Sequence, residues 1–548
     1  MKSFITIALT ALLPAVFTLT GVSVLAQAGK KTTEKDIRWY VTHAPFAMQV
    51  PAEPEFPARS FNLMDYGAAG DGQTLNTAAF ASAMQACSAA GGGRLIVPPG
   101  LWLTGPIALQ SNVDLHLEKG ALVIFTRDRT LFPLVHAPSG RQRLAAGDAG
   151  KGNAVSVSSP ISGYDLQNVA ITGEGIFDGG GDAWRPVKKM KTTAAQWKEL
   201  LASGGALSRD GEIWWPSAEA RDGEEWLKAF RKKNAAGDAP PEDYLPARDF
   251  LRPIMLALVR CRKVLVEGVT IRNSPNFVFC PTGCTDLTMD HVTIFNEWWA
   301  QNGDGIDISA CRNVVLYKCT VSAGDDGICM KSSGGRPGGA GAASGAGMGM
   351  SAGQGSGSGE GSREAALENV VIAGCTVYHA HGGFVIGSNT DGGMQNIAVS
   401  DCDFIGTDVG LRFKSNMGRG GLVHDIYIHD IFMRDIVNEA VLFDTYYENV
   451  TAGSVKDPNK PLPADKTPEF RDFHISRIYC SGAKTAISIT GLPQMPVSGI
   501  FFDTLVISAN KGLIATQAKN IDLHLVQLIT QEQPVYQVDP TAEVRIRQ

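Results

Sequence analysis

Apolar and polar residues alternate with a period of two over short runs along most of this chain, and the runs recur. Val264-Leu265-Val266-Glu267-Gly268-Val269-Thr270-Ile271 and Leu287-Thr288-Met289-Asp290-His291-Val292-Thr293-Ile294 share one layout: a short β-run, a polar pair, then a second short β-run. Similar segments begin at Val314, Val370, Ile397, Ile426, Phe473 and Ile500. Successive starts are 23 to 29 residues apart, except for two long steps of 56 and 47. A period in the twenties built from strand-forming units predicts a solenoid, because no single unit buries its apolar face alone. Helical repeats are excluded by the period-two alternation, and the Leu and Asn pattern of leucine-rich repeats is missing. The expectation is an all-β fold, a parallel β-helix in which each unit forms one coil.

The long steps read as insertions. Gly334–Ser362 is a 29-residue tract of Gly, Ala and Ser, and without it the 56-residue step shortens to an ordinary 27. It is expected to hang from one coil as a flexible loop, and residues 450–468 are expected to do the same for the 47-residue step. A third insertion, Gly179–Asp249, interrupts the repeat. It holds a helix-like run, Thr193–Leu201, and the residues Trp184, Lys188, Lys189, Trp197, Trp214 and Trp215. Before the repeats, Thr77–Cys87 predicts a short amphipathic helix that caps the open end of the solenoid, where strand edges would otherwise be bare. One phase of the repeat carries Val269, Val292, Cys319, Cys375, Cys402, Ile431 and Ile478, an internal stack of small apolar groups.

Composition adds limits. Of 548 residues, 44% are hydrophobic and 19% charged, which suits a globular chain rather than a disordered one. A formal net charge of −6 argues against nucleic acid as a partner. Residues 1–28 have the pattern of a signal peptide: Lys2, a largely apolar run from Phe4 to Leu25, then Ala26-Gln27-Ala28 as an A-x-A cleavage site. Lys30, Lys31 and Lys35 follow at once, against a transmembrane anchor, and no later segment is apolar enough to span a bilayer. The mature protein is expected to be secreted or periplasmic, with an N-terminal extension at 29–60 and a β-helix at 61–548. It is expected to act as a monomer without stable membrane insertion. The ten Cys fit no zinc pattern. Cys280 and Cys284 are placed for a local disulfide, but small buried side chains are the favoured reading of the cysteines.

The chemistry appears when the second strands of the coils are aligned. They read Gly305-Ile306-Asp307-Ile308-Ser309, Gly327-Ile328-Cys329-Met330-Lys331, Gly383-Phe384-Val385-Ile386-Gly387 and Gly410-Leu411-Arg412-Phe413-Lys414. Alternation puts Ile306, Ile308 and their equivalents inside, so Arg412 and Lys414 point outward. Asp304 and Asp326 occupy one position on adjacent coils, and Asp325 and His381 share the position before it. With coils about 4.8 Å apart, three carboxylates, an imidazole and two cations converge on one outer patch. Crowded carboxylates repel, so at least one is expected to keep its proton near neutral pH. That places a general acid beside a general base, as glycosidic cleavage requires, while the cations suit a substrate bearing carboxylates. Taken singly, Asp-Gly pairs are ordinary turn residues, and Asp325-Asp326 also suits calcium. Neither a metal nor another cofactor is expected, because the convergence of all these groups outweighs the single-residue readings.

At these residues the sequence resembles glycoside hydrolase family 28, the polygalacturonases. The family's N-T-D, G-D-D, G-H-G and R-I-K motifs correspond in order to Asn302-Gly303-Asp304, Gly324-Asp325-Asp326, Ala380-His381-Gly382 and Arg412-Phe413-Lys414. Asp65-Tyr66-Gly67-Ala68 and Gly70-Asp71-Gly72 look like the superfamily's opening, so the resemblance covers roughly 60–530. Gly303 replaces Thr, Ala380 replaces Gly and Phe413 replaces Ile. Gly303 is expected to loosen the turn that carries Asp304. The resemblance implies a right-handed β-helix and an inverting hydrolase of a pectic polyuronide. It implies that Asp325 is the general acid, that Asp304 and Asp326 activate the water, that His381 tunes the acid, and that Arg412, Lys414 and Asn302 bind substrate. The two rival readings are a pectate lyase acting by β-elimination, usually with calcium, and a non-catalytic carbohydrate-binding solenoid. The size of the 179–249 insertion further suggests a cleft walled at one end and exo action.

Overall fold

The computed structural model describes residues 35–136, 155–234, 239–333, 366–447, 463 and 466–547. The leader, the Gly334–Ser362 tract and most of 450–468 lie outside the described residues. Residues 37–548 form one body, a right-handed parallel β-helix. One sheet runs through 12 parallel strands, from Ile107–Ala108 to Tyr536–Val538, and a second, folded around the remaining faces, through 21.

The register follows the sequence repeat coil by coil. Val264 stacks on Leu287, then Val314, Val370, Ile397, Ile426, Phe473 and Ile500, in unbroken succession. The residue before each of these positions takes a left-handed backbone: Lys263, Asp286, Asn313, Asn369, Asn396, Asp425, Asp472 and Gly499 all have φ between 53° and 62°. Asn and Asp enter this region at little cost because their short polar side chains bond locally. Asn396 Nδ2 accordingly donates to Asn369 Oδ1 on the next coil at 3.0 Å. The kink turns the following side chain inward at the same point of every coil.

Inside, the predicted stack is continuous. Val269, Val292, Cys319, Cys375, Cys402, Ile431 and Ile478 are all buried. All ten cysteines are buried and none is in a disulfide, so Cys280 and Cys284 are not bridged. The Cys280 thiol instead points at the Asp307 carboxylate, 3.5 Å away. Helix α1 (Ile37–Thr42) lies in the N-terminal extension; Val41 packs with Val315, Tyr317 and Val371 on the outer face of the larger sheet. Helix α2 (Thr77–Ala89) sends Phe80, Ala83, Met84 and Cys87 into the core at the N-terminal end.

The 179–249 insertion folds into a small three-stranded antiparallel sheet and two helices, α3 (Ala194–Ala202) and α4 (Ala218–Lys233). Thr193 caps α3 through a capping box with Gln196. Two of the insertion's tryptophans are structural. Trp184 is fully buried edge-on to Phe132, and buried Trp214 donates its indole N–H to Gly204 O at 2.7 Å.

Candidate active site

The 12-stranded sheet carries the aligned strands Ile306–Ser309, Asp326–Lys331, Gly382–Ile386 and Leu411–Lys414 side by side. Ile306 pairs with Ile328, Ile328 with Phe384 and Phe384 with Leu411, the register read from the sequence. On the outer side, Asp304, Asp325 and Asp326 each bring a carboxylate oxygen within 4.8 Å of the other two. The expected patch faces away from the core yet is largely shielded from solvent: Asp304, Asp326, Lys331 and Lys414 are all buried, and Asp307 is 0% exposed.

Buried charge must be paired, because desolvating a lone ion costs several kcal/mol. Asp326 is bound on both oxygens, Oδ1 by Arg412 Nη1 at 3.0 Å and Oδ2 by Lys414 Nζ at 2.7 Å. Burial opposes its charge, but Lys414, Arg412 and Lys331 outweigh burial and hold the carboxyl well below the usual range. Asp304 is bound on one side only: Lys331 Nζ lies 3.1 Å from Oδ2, while the buried Oδ1 has no hydrogen-bond partner among the described residues. Burial pushes Asp304 up, against Lys331 and with help from Asp307, Asp325 and Asp326. Lys331 also pairs with Asp307 at 2.7 Å.

Asp325 faces His381. The His381 backbone N–H donates to Asp325 O at 2.8 Å, and ring Nδ1 lies 3.0 Å from Asp325 Oδ1. Ring Nε2 lies 3.7 Å from Asp408 Oδ2, so the imidazole stands between two carboxylates. Asn302 takes a left-handed backbone, and its Oδ1 accepts from Arg252 Nη2 at 2.8 Å. Gly303 is closely surrounded in the turn that carries Asp304. A Cβ there would lie 2.8 Å from Asn296 Nδ2 and 2.9 Å from Ala300 O, so a threonine does not fit this backbone.

All seven residues singled out from sequence lie on this stretch of the sheet and its turns. Lys331, Asp307, Arg252, Tyr447 and Asp408 were missed. Lys331 and Asp307 stood in the aligned strands at the outward positions of Lys414 and Arg412, so the same alternation marks them. Tyr447 covers the cations, its ring centroid 4.9 Å from Lys414 Nζ and 5.6 Å from the Arg412 guanidinium. It lies on a turn after another strand, and Arg252 lies at the edge of an insertion, where no repeat phase points to either. For a cation, the three clustered aspartates offer oxygen ligands, but Lys331, Arg412 and Lys414 already neutralise much of the charge such an ion would meet.

The sequence profile of the family described as "Glycosyl hydrolases family 28" matches residues 248–522. A probable polygalacturonase of Vitis vinifera is 27% identical over 471 residues, 85% of this chain and 76% of that protein. An exo-poly-alpha-D-galacturonosidase of Dickeya chrysanthemi is 27% identical over 442 residues, 78% of this chain and 64% of that protein. The crystal structure of a hyperthermoactive exopolygalacturonase from Thermotoga maritima superposes with a TM-score of 0.62 at 26% identity, covering 84% of this chain and 89% of that one. The profile spans half of the chain and takes in all four motifs that build the carboxylate cluster, so this chain belongs to glycosyl hydrolase family 28 and is a glycoside hydrolase.

Proposed function

We propose that the protein is a polygalacturonase that hydrolyses α-galacturonosidic bonds of a pectic polyuronide, removing units from a chain end. The observation that carries this is the unequal environment of the three carboxylates. Asp326, saturated by Arg412 and Lys414, orders those cations and remains ionised. Asp304 keeps one oxygen free to accept a proton and is the water-activating base. Asp325, paired with His381 at the mouth, is the acid that protonates the leaving oxygen.

Asp304, Asp307 and Asp326 share the buried cations Lys331, Arg412 and Lys414 in one charge network. Arg412 Nε, buried and without a hydrogen-bond partner among the described residues, remains a donor for a substrate carboxylate. Inversion is proposed although the carboxylate oxygens lie closer than the ~6.5–9.5 Å between carboxyl groups usual for inverting enzymes; two aspartates beside the acid allow the water to be seated against Asp304 rather than between a single pair.

Exo action rests on the insertion. Arg185 binds Ser274 O at 2.6 Å and Glu297 at 2.7 Å, which anchors the insertion to the turns flanking Asp304. The names of the Dickeya and Thermotoga relatives favour the same mode. A secreted or periplasmic location, reached through the leader, suits a polymeric substrate.

Two measurements test the reading. Asp325→Asn is expected to lower kcat by about 10² or more with unchanged melting temperature, and near-normal turnover removes Asp325 from the acid role. The first-formed reducing end, followed by proton NMR, is expected to be the β-anomer. An unsaturated product absorbing in the ultraviolet establishes a lyase instead.

A further inference from the structure

The cations expected to greet the substrate carboxylate are already engaged with Asp326, although Arg412 Nε stays open to substrate. Lys414 is bound to Asp326 and buried, and Arg412 shares that carboxylate under the Tyr447 ring. A different cation stands at the mouth. Lys191 belongs to the 179–249 insertion and lies outside the stretch that matches the family profile. Its ammonium donates to Trp298 O at 3.2 Å and sits 5.8 Å from the centroid of the Trp298 ring. Trp298 is 47% exposed and belongs to the same turn as Asn302 and Asp304.

Lys191 makes no ion pair among the described residues, and it is half-buried. Burial pushes its ammonium down, Asp325 pushes it back up, and Lys188 and Asp408 act in opposite senses. The backbone beneath it is held. Lys189 pairs with Glu212 at 3.1 Å, and Thr192 Oγ1 donates to Lys189 O at 2.9 Å, so the turn bearing Lys191 is braced on both sides. An ammonium without an ion pair, beside an exposed indole on the turn that leads to Asp304, has the chemistry to take an anionic sugar: the ring contributes an apolar face and the ammonium an ion pair.

We propose that Lys191 is a specificity-determining residue that binds the carboxylate of a galacturonosyl unit flanking the scissile bond, with Trp298 as the apolar wall of that subsite. The assignment deepens the polygalacturonase reading and rests on it. It also gives the insertion a chemical part in recognition besides closing the cleft.

The test compares trigalacturonate with its methyl ester for the wild type, Lys191→Met and Lys191→Arg. Methionine keeps the aliphatic stem against Trp298 and removes the charge; arginine keeps the charge. The expected result for Lys191→Met is a KM for the acid raised by about 10-fold or more, with kcat little changed and the ester unaffected, while Lys191→Arg stays near wild type. A KM for the acid equal to wild type, or an equal loss on acid and ester, overturns the proposal. Wild-type enzyme that cleaves neither substrate overturns the polygalacturonase reading itself, so the two failures are distinct.

Discussion

Lys331 is shared by two buried aspartates, and among the described residues it is the cation that pairs with Asp307. Replacing it with methionine leaves Asp304 and Asp307 as buried carboxylates without their cation. The expected cost is about 3–5 kcal/mol, read as a lower midpoint in urea unfolding. The same change carries a signature in activity. In the role proposed for it, Asp304 acts as base only when ionised, so on that reading the rate rises with pH as Asp304 loses its proton. Burial already places that step above the ordinary aspartate value, and Lys331 is the group that lowers it. In Lys331→Met the acid limb of the kcat/KM profile is therefore expected to move to higher pH. A limb that stays in place assigns it to another group. Asp326 behaves in the opposite sense: its pairing holds it ionised well below the usual range, so it remains charged throughout the working pH.

At the scale of elements, the ends and the inner stack of the solenoid set its integrity. Helix α2 closes the first coil with Phe80 and Met84, both 1% exposed and both part of the main core. Truncating Phe80 to alanine removes a large buried side chain and is expected to cost about 3–5 kcal/mol, visible as an earlier thermal transition. A change below about 1 kcal/mol shows that the cap is dispensable. The cysteines belong to the same argument. Cys319, Cys375 and Cys402 occupy one inward phase on successive coils and pack as small hydrophobes. The hydrogen bond with the Cys375 thiol, and then burial, lifts the Cys319 thiol well above its ordinary value; on Cys375 the Cys319 thiol acts downward but is outweighed by the Cys402 thiol and burial, which lift it as well. A reductant is accordingly expected to leave the melting temperature unchanged.

For the whole molecule the question is how a long polymer lies on the sheet. The insertion is fixed to the solenoid by Arg185 and reaches the mouth through Lys191, one side of the Asp304 turn. On the exo reading proposed above, the cleft is walled on that side and admits a chain end. Pectate viscosity is expected to fall slowly while reducing ends accumulate, with monomer or dimer as the early product. Viscosity that collapses when few ends have appeared establishes internal cutting and an open cleft.

Much of this arrangement is legible in the sequence because a solenoid makes distant residues local. Once the repeat length is known, residues 27 apart are neighbours, and simple alternation says which face each takes. That is why Asp304, Asp325, Asp326, His381, Arg412 and Lys414 are placed together before any coordinates, and why the inner stack from Val269 to Ile478 is correct in every member. The tertiary structure alone decided three things. It decided the pairing of charges: Asp326 takes Arg412 and Lys414 and leaves Asp304 with Lys331, because side-chain reach and burial, not repeat phase, select partners. It decided that Gly303 is held by Ala300 and Asn296, since the turn that packs around it has no repeat to reveal it. And it decided what the insertion does. A segment outside the repeat has no register, so only its own packing shows that Trp184 and Trp214 are core while Lys191 comes to Trp298 on the Asp304 turn.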